Sequence, residues 1–340
     1  MNKFPVSILA AVFFALMVGL AQQPALVTLL QTIPLPGLPP NSDFDGLAVD
    51  VPGQRLFLAD DKSSAVRVID LHTNKVIRTI SDVKEPHSLV YRDDIQKLYV
   101  VDGGLGEIKI YDGRSLDLIG SVKGLRGSDS SAFDNSTKHM FVTNAGVDAH
   151  LPYCLISIID TTVAKKLADI KIDAADIEGL AIEKSGPRLF VNIISKDEVG
   201  VIDREKHTLI ANWTIGQVTQ MGAATALDEA GHRLFVATLK PAKLFVLDTD
   251  SGNVVASLPS VEMSHDMAYD SRRKRIYLAG NEFVDVFQQN DADHYELIGH
   301  IPTAFRARTA VLLPDLNRYY LAVPQHEDQI AEVRIYKVLP

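Results

Sequence analysis

The chain has 340 residues, 46% of them apolar and 23% charged, with 34 Lys and Arg against 43 Asp and Glu and a formal net charge of -9. That balance excludes bulk disorder and gives no cationic footprint for nucleic acid, so neutral or cationic partners stay open. The single cysteine, Cys154, excludes an intramolecular disulfide, a CxxC redox pair, a thiolate zinc cluster and a CxxCH haem attachment.

At the N-terminus Lys3 precedes an apolar run, residues 4–20, that ends in Gly19-Leu20-Ala21, a small-x-small cleavage site. Residues 1–21 are therefore expected to be a signal peptide cleaved after Ala21, with residues 22–340 forming one domain. The alternative is an uncleaved anchor, since about 17 apolar residues approach the lower limit for a membrane span. No later segment is apolar for long enough to span, so the mature chain is expected to be secreted or periplasmic. A lone thiol is tolerable there if it is buried.

One pattern then recurs seven times: a basic or histidine residue, an apolar or aromatic residue, an aromatic, and two or three strand formers. The copies start at Arg55, Lys97, His139, Arg188, Arg233, Arg275 and Arg318, at spacings of 42, 42, 49, 45, 42 and 43. Each follows a strand-length apolar run such as Gly46-Leu47-Ala48-Val49-Asp50 and precedes an alternating run such as Val66-Arg67-Val68-Ile69-Asp70. A fourth run closes most units. Four short strands per unit of about 44 residues predict an all-β, seven-bladed β-propeller.

The seventh unit has only three strands, the third over residues 333–337, before the chain stops at Pro340. Residues 26–33, Leu-Val-Thr-Leu-Leu-Gln-Thr-Ile, precede the first unit and resemble a fourth strand. Pairing the two completes the last blade and closes the ring without an open edge.

Phe141-Val142-Thr143-Asn144, with Tyr99-Val100-Val101-Asp102 and Phe57-Leu58-Ala59-Asp60 at equivalent positions, resembles the tetrapeptide of YVTN repeats. With the endings Val68-Ile69-Asp70, Ile158-Ile159-Asp160 and Val201-Ile202-Asp203, the mature chain resembles YncE-like, YVTN-repeat seven-bladed propellers. That resemblance implies a secreted or periplasmic protein. It says little about function, because propellers of this kind serve as binding proteins, surface proteins and enzyme subunits.

The seven units act as an internal control, since a residue type found in nearly every blade is most simply required by the blade. The repeated aromatics are then packing groups rather than a stacking ladder for sugars or bases. Asp70, Asp112, Asp160, Asp203 and Asp248 initiate hairpin turns. The basic cluster Arg272-Arg273-Lys274-Arg275 occupies a turn that is acidic or neutral in other blades, so it is expected to be solvated rather than a nucleic-acid patch.

Ten residues before each repeated basic position the pattern breaks, giving Asp45, His87, Asp129, Glu178, Ala223, His265 and Arg308. In a propeller this position begins the innermost strand at the mouth of the central channel. The residue that follows is mostly small, which suits crowding near an axis. The loop between second and third strands is also longer in blade 3, where it carries His150 and Tyr153, and in blade 7, where it carries His326. Both loops belong to the face that holds the ring, so a funnel with raised walls is the expected site for a small molecule or a protein.

Asp45, Asp129 and Glu178 near His87 and His265 offer oxygen and imidazole donors without sulfur, which suits a divalent metal ion. Arg308 could hold an anionic group. Three uses stay open. The ring could line a wet channel, with Arg308 paired to Asp45. It could serve a ligand- or protein-binding module, or it could support a metal-dependent, lactonase-like hydrolase. An oxidoreductase would need a cofactor for which no attachment motif is found, and Trp213, the one tryptophan, disfavours a tryptophan-lined quinone site.

Overall fold

The computed structural model describes residues 25–216 and 220–340. The expected signal segment lies outside the described residues. The strands form seven separate four-stranded antiparallel sheets. In blade 1 the order from axis to rim is Phe44–Asp50, Arg55–Asp60, Ala65–Asp70 and Lys75–Ile80. Blades 2 to 6 repeat this order, and the first strands of neighbouring blades pack against one another around the axis.

Why this sequence makes blades is visible strand by strand. The second strand lies between flanking strands and neighbouring sheets, so it reads as an almost unbroken buried run, as in Arg55–Asp60. The fourth strand lies at the rim and alternates between half-buried and exposed residues, as in Thr208–Thr214. Between blades sit the repeated aromatics Phe57, Tyr99, Phe141, Phe190, Phe235, Tyr277 and Tyr320, all of them buried. Truncating any one to Ala costs about 3–5 kcal/mol by the usual cost of an aromatic cavity.

The turn aspartates act as expected. Asp70 Oδ1 accepts hydrogen bonds from the backbone N–H groups of His72 and Thr73, and Asp112 from those of Arg114 and Ser115. Asp160, Asp203 and Asp248 do the same. The basic cluster is less free than a solvated turn. Arg273 pairs with Asp270, and Arg273 and Arg275 both donate to the carbonyl of Leu339, pinning the blade 6 turn to the end of blade 7.

Closure follows the expected path. Val27–Pro34 pairs antiparallel with Glu332–Val338, from Val27 opposite Val338 to Pro34 opposite Glu332, with one register shift between Leu29 and Gln31. Arg318–Val323 and Thr309–Leu313 complete that sheet, so blade 7 takes its outer strand from the other end of the chain. Ile33 is fully buried in a seam core with Leu56, Tyr320 and Val333, which ties the closing strand to blade 1 as well.

Ile33→Ala should destabilise the protein by about 2–5 kcal/mol, because it empties a closed seam. Leu30→Ala, on the same strand but 48% exposed, should change stability by less than about 0.5 kcal/mol. Urea unfolding of both variants measures the difference; equal, small effects would mean that this strand does not close the ring.

Candidate functional site

The innermost strands of blades 1 to 5 each carry a register shift on their pairing with the second strand. In the first three blades it falls between Phe44 and Leu47, Pro86 and Leu89, and Ser128 and Ser131. A β-bulge breaks the alternation of side chains and re-aims the residues inside it. Asp45, His87 and Asp129 lie within these bulges. Thr143, the threonine of Phe-Val-Thr-Asn, holds the third one: its Oγ1 accepts from the Ser130 N–H at 3.0 Å and donates to the Ser130 carbonyl at 3.2 Å.

Crowding at the axis explains the small residues beside the ring. A Cβ on Gly46 would lie 2.2 Å from the His87 carbonyl oxygen, and one on Gly179 would lie 1.9 Å from that of Ala223. Gly179 also has φ +60°, which favours glycine. Gly103 makes room for the site itself, because a Cβ there would come within 2.8 Å of Cδ2 and Nε2 of His87. The Nε2 edge therefore abuts the neighbouring backbone, and Nδ1 turns toward Asp45.

These elements surround an axial cavity of about 260 Å3, lined by Asp45, His87, Asp129 and His265 together with Ser88 and Ser131, whose hydroxyls lie 2.6 Å apart. Asp45 is its hub. One carboxylate oxygen pairs with His87 Nδ1, and the other lies 3.1 Å from His265 Nε2. Glu178 approaches the same His265 nitrogen at 4.0 Å. Ala223 contributes only a methyl at blade 5's position and Arg308 at blade 7's turns to Asp43, so His265 of blade 6 meets Asp45 of blade 1. Among the described residues, Asp45, His87 and Asp129 each offer one donor atom, all within 4.8 Å of one another.

Electrostatics follows from packing three acids and two imidazoles into one half-buried funnel. Burial opposes the Asp45 charge, but hydrogen bonds from His265 and His87 outweigh it and hold this carboxyl well below the usual range. Burial also disfavours His87 cation formation, yet Asp45 and Asp129 raise its pKa to about 9. His265 is raised by Asp266 and Asp45 against the same burial. Asp129 is pushed up to about 6 by burial and by Asp45, and Glu178 to about 8 by burial and by Asp129.

The remaining candidates lie elsewhere. Arg308 does not pair with Asp45; its Nη2 lies 3.3 Å from Asp43, which Arg306 also grips. His150 is the exposed, left-handed C-cap of a single helical turn, Gly146–Ala149. Tyr153 sits under Lys171 Nζ at 4.3 Å, against the outermost strand Lys165–Ile172. His326 stacks on Phe305 at the seam of blades 7 and 1, with ring centroids 4.1 Å apart. One participant escaped the sequence reading. Asp266 Oδ1 lies 3.4 Å from His265 Nδ1, close enough for attraction although the geometry is not that of a hydrogen bond, and its Oδ2 accepts the Ala310 N–H at 2.7 Å. It is the one charged residue at a position where the other blades place small or neutral ones.

Three groups give the cation-free protein one pH response. His87, Asp129 and Glu178 all have raised pKa values, so the folded state binds more protons than the unfolded chain between the ordinary and raised values. Stability should therefore fall as pH rises from about 5 to about 9. Thermal unfolding in EDTA measures this slope, which Glu178→Gln should flatten. A stability that climbs across that window would contradict the assignment.

No protein-family profile matches the chain. It is 22% identical over 294 residues to the uncharacterized protein YncE of Salmonella typhi, covering 82% of this chain and 69% of that protein. YncE of Salmonella typhimurium is 21% identical over the same length. Among solved structures, hydrazine synthase of Kuenenia stuttgartiensis superposes with a TM-score of 0.73 at 17% identity, over 88% of this chain and 98% of that one. A chain of a mitotic checkpoint complex gives 0.76 at 14% identity, over the full length of both. At these identities the structural matches speak for the fold alone. Seven four-stranded blades and a closing N-terminal strand make the chain a seven-bladed β-propeller, and the relatives make it similar to YncE.

Proposed function

We propose that this propeller is a binding module whose working surface is the funnel face, and that its axial cluster holds one divalent cation through Asp45, His87 and Asp129. The observation that carries this is the placing of three donor atoms from three consecutive blades within 4.8 Å of one another. Two oxygens and one imidazole nitrogen suit a hard or borderline ion such as manganese, calcium or zinc. Binding such an ion would displace the His87 proton and compensate the Asp129 charge that burial disfavours. Glu178 and His265 stand beside the three donors as further ligands or as partners for a bound molecule.

A location outside the cytoplasm belongs to the same proposal and rests on the sequence of residues 1–21. A second use of the funnel, metal-dependent hydrolysis, is favoured by Glu178, a carboxylate beside the three donors and 4.0 Å from His265 that could transfer a proton.

Purified mature protein, dialysed against each cation and analysed for bound metal, should retain about one ion per chain. His87→Ala and Asp129→Ala should each weaken retention by about tenfold or more, the usual loss for a removed ligand or its support. Unchanged retention in both variants, or none in the wild type, would remove the cation from this account. If hydrolysis is the function, Glu178→Gln should abolish lactone turnover while keeping the ion.

A further inference from the structure

We infer that the seam between blades 7 and 1 carries a second binding pocket on the same face, and that it takes a small organic oxyanion with a ring or other apolar body. The cavity measures about 320 Å3 and shares no lining residue with the axial one. That volume is in the range of small-molecule sites. Its walls come from four segments: Asn41 and Ser42 entering blade 1, Met263 entering blade 6, Phe305 and Arg306 entering blade 7, and the long blade 7 loop with His326, and ring closure brings the first of these to the others.

The charge inventory points to an anion. Arg306 and Arg308 share one carboxylate, Asp43, so two guanidinium groups face a single negative charge. Of the two, Arg306 lines the cavity. The nearby Lys62 and Asp61 neutralise each other at 2.9 Å, and Glu327, 3.9 Å from His326 Nε2, is 84% exposed. The Arg306 guanidinium, part of the cavity wall, is suited to a carboxylate or phosphate head.

The apolar part of the ligand is read from the opposite wall. Met263 is 41% exposed, and Phe305 stacks on His326 with an interplanar angle of 26°. These groups are held in place before any ligand arrives. Gln329 accepts from the Phe305 N–H at 3.0 Å through Oε1 and donates to the Phe305 carbonyl at 3.0 Å through Nε2. His326 Nδ1 lies 3.0 Å from Asn41 Oδ1, and Ser42 Oγ accepts the Gln325 N–H at 2.7 Å. Asn41, Met263 and Arg306 all adopt left-handed backbone conformations, with φ of 58°, 49° and 55°. Such conformations in non-glycine residues persist where surrounding contacts impose them. The pocket is thus a fixed feature of the closed ring.

Calorimetric titration in EDTA with phenyl phosphate and benzoate, with benzamidine as the cationic control, tests the assignment. The wild type should bind at least one of the two anions more tightly than benzamidine and more tightly than inorganic phosphate. Arg306→Gln should weaken that binding by about tenfold or more, the cost of a lost charge-assisted contact. Asp129→Ala, in the axial cluster, should leave it unchanged. Met263→Glu gives a second check that leaves the Asp43 clasp intact: it places a negative charge at the pocket's edge and should also weaken anion binding. No anion binding by the wild type overturns the proposal, as does preference for benzamidine, equal binding of inorganic phosphate, or unchanged affinity in Arg306→Gln or Met263→Glu. Loss of binding in Asp129→Ala overturns it too, because the anion would then lie at the axis.

Discussion

The pairing of Val27–Pro34 with Glu332–Val338 is the constraint on which the rest of the molecule depends. A propeller blade buries one face of its sheet on each neighbour, so an open ring would leave two apolar faces and a sheet edge in water. Joining the two ends of the chain in one sheet removes both costs. It also fixes the distance of every innermost strand from the axis. Asp45, His87 and Asp129 come from consecutive blades that pack directly on one another, and the closure adds His265 of blade 6 to the Asp45 carboxylate of blade 1.

Within the funnel the organising interaction is the Asp45 carboxylate held between His87 and His265. One acid serving two imidazoles keeps both inclined to be protonated, while Asp129 and Glu178 lose the incentive to ionise. The cluster therefore carries protons that a dication can replace. The seam pocket has the opposite bias, with two arginines on one aspartate. A single face thus presents an acid-rich centre, built on the starts of the innermost strands, and a cationic flank, to which the long blade 7 loop also contributes. Asp43 and Asp45 stand two residues apart and separate the two environments.

Much of the fold was legible because the blade repeats its requirements. Seven buried aromatics, five turn aspartates and the orphan strand at residues 26–33 can be compared with one another along a single chain, so their structural roles stand out without any relative. The ring positions were legible for the opposite reason, since they are where the repeat breaks. What escaped was direction. Alternation along a strand predicts which side chains face inward only while the pairing is regular, and bulges at Asp45, His87 and Asp129 interrupt it. Arg308 illustrates the consequence: it lies just before the strand Thr309–Leu313, outside the regular ladder, and turns to Asp43 instead of the axis. His150 and Tyr153 belong to a long loop on the expected face, but a helical turn and the outer strand take them away from the cavity. Asp266 was hidden by its position beside a more conspicuous histidine.

The central claim is that the bulged innermost strands of blades 1 to 3 build a cation site from Asp45, His87 and Asp129. Crystals grown with manganese, with anomalous diffraction recorded near its absorption edge, test it most directly. The account predicts one strong anomalous peak on the propeller axis, about 2.0–2.6 Å from donor atoms of these three residues, the span of ordinary metal–oxygen and metal–nitrogen bonds. An axis without such a peak, or a peak bound only by residues away from the funnel, would contradict it.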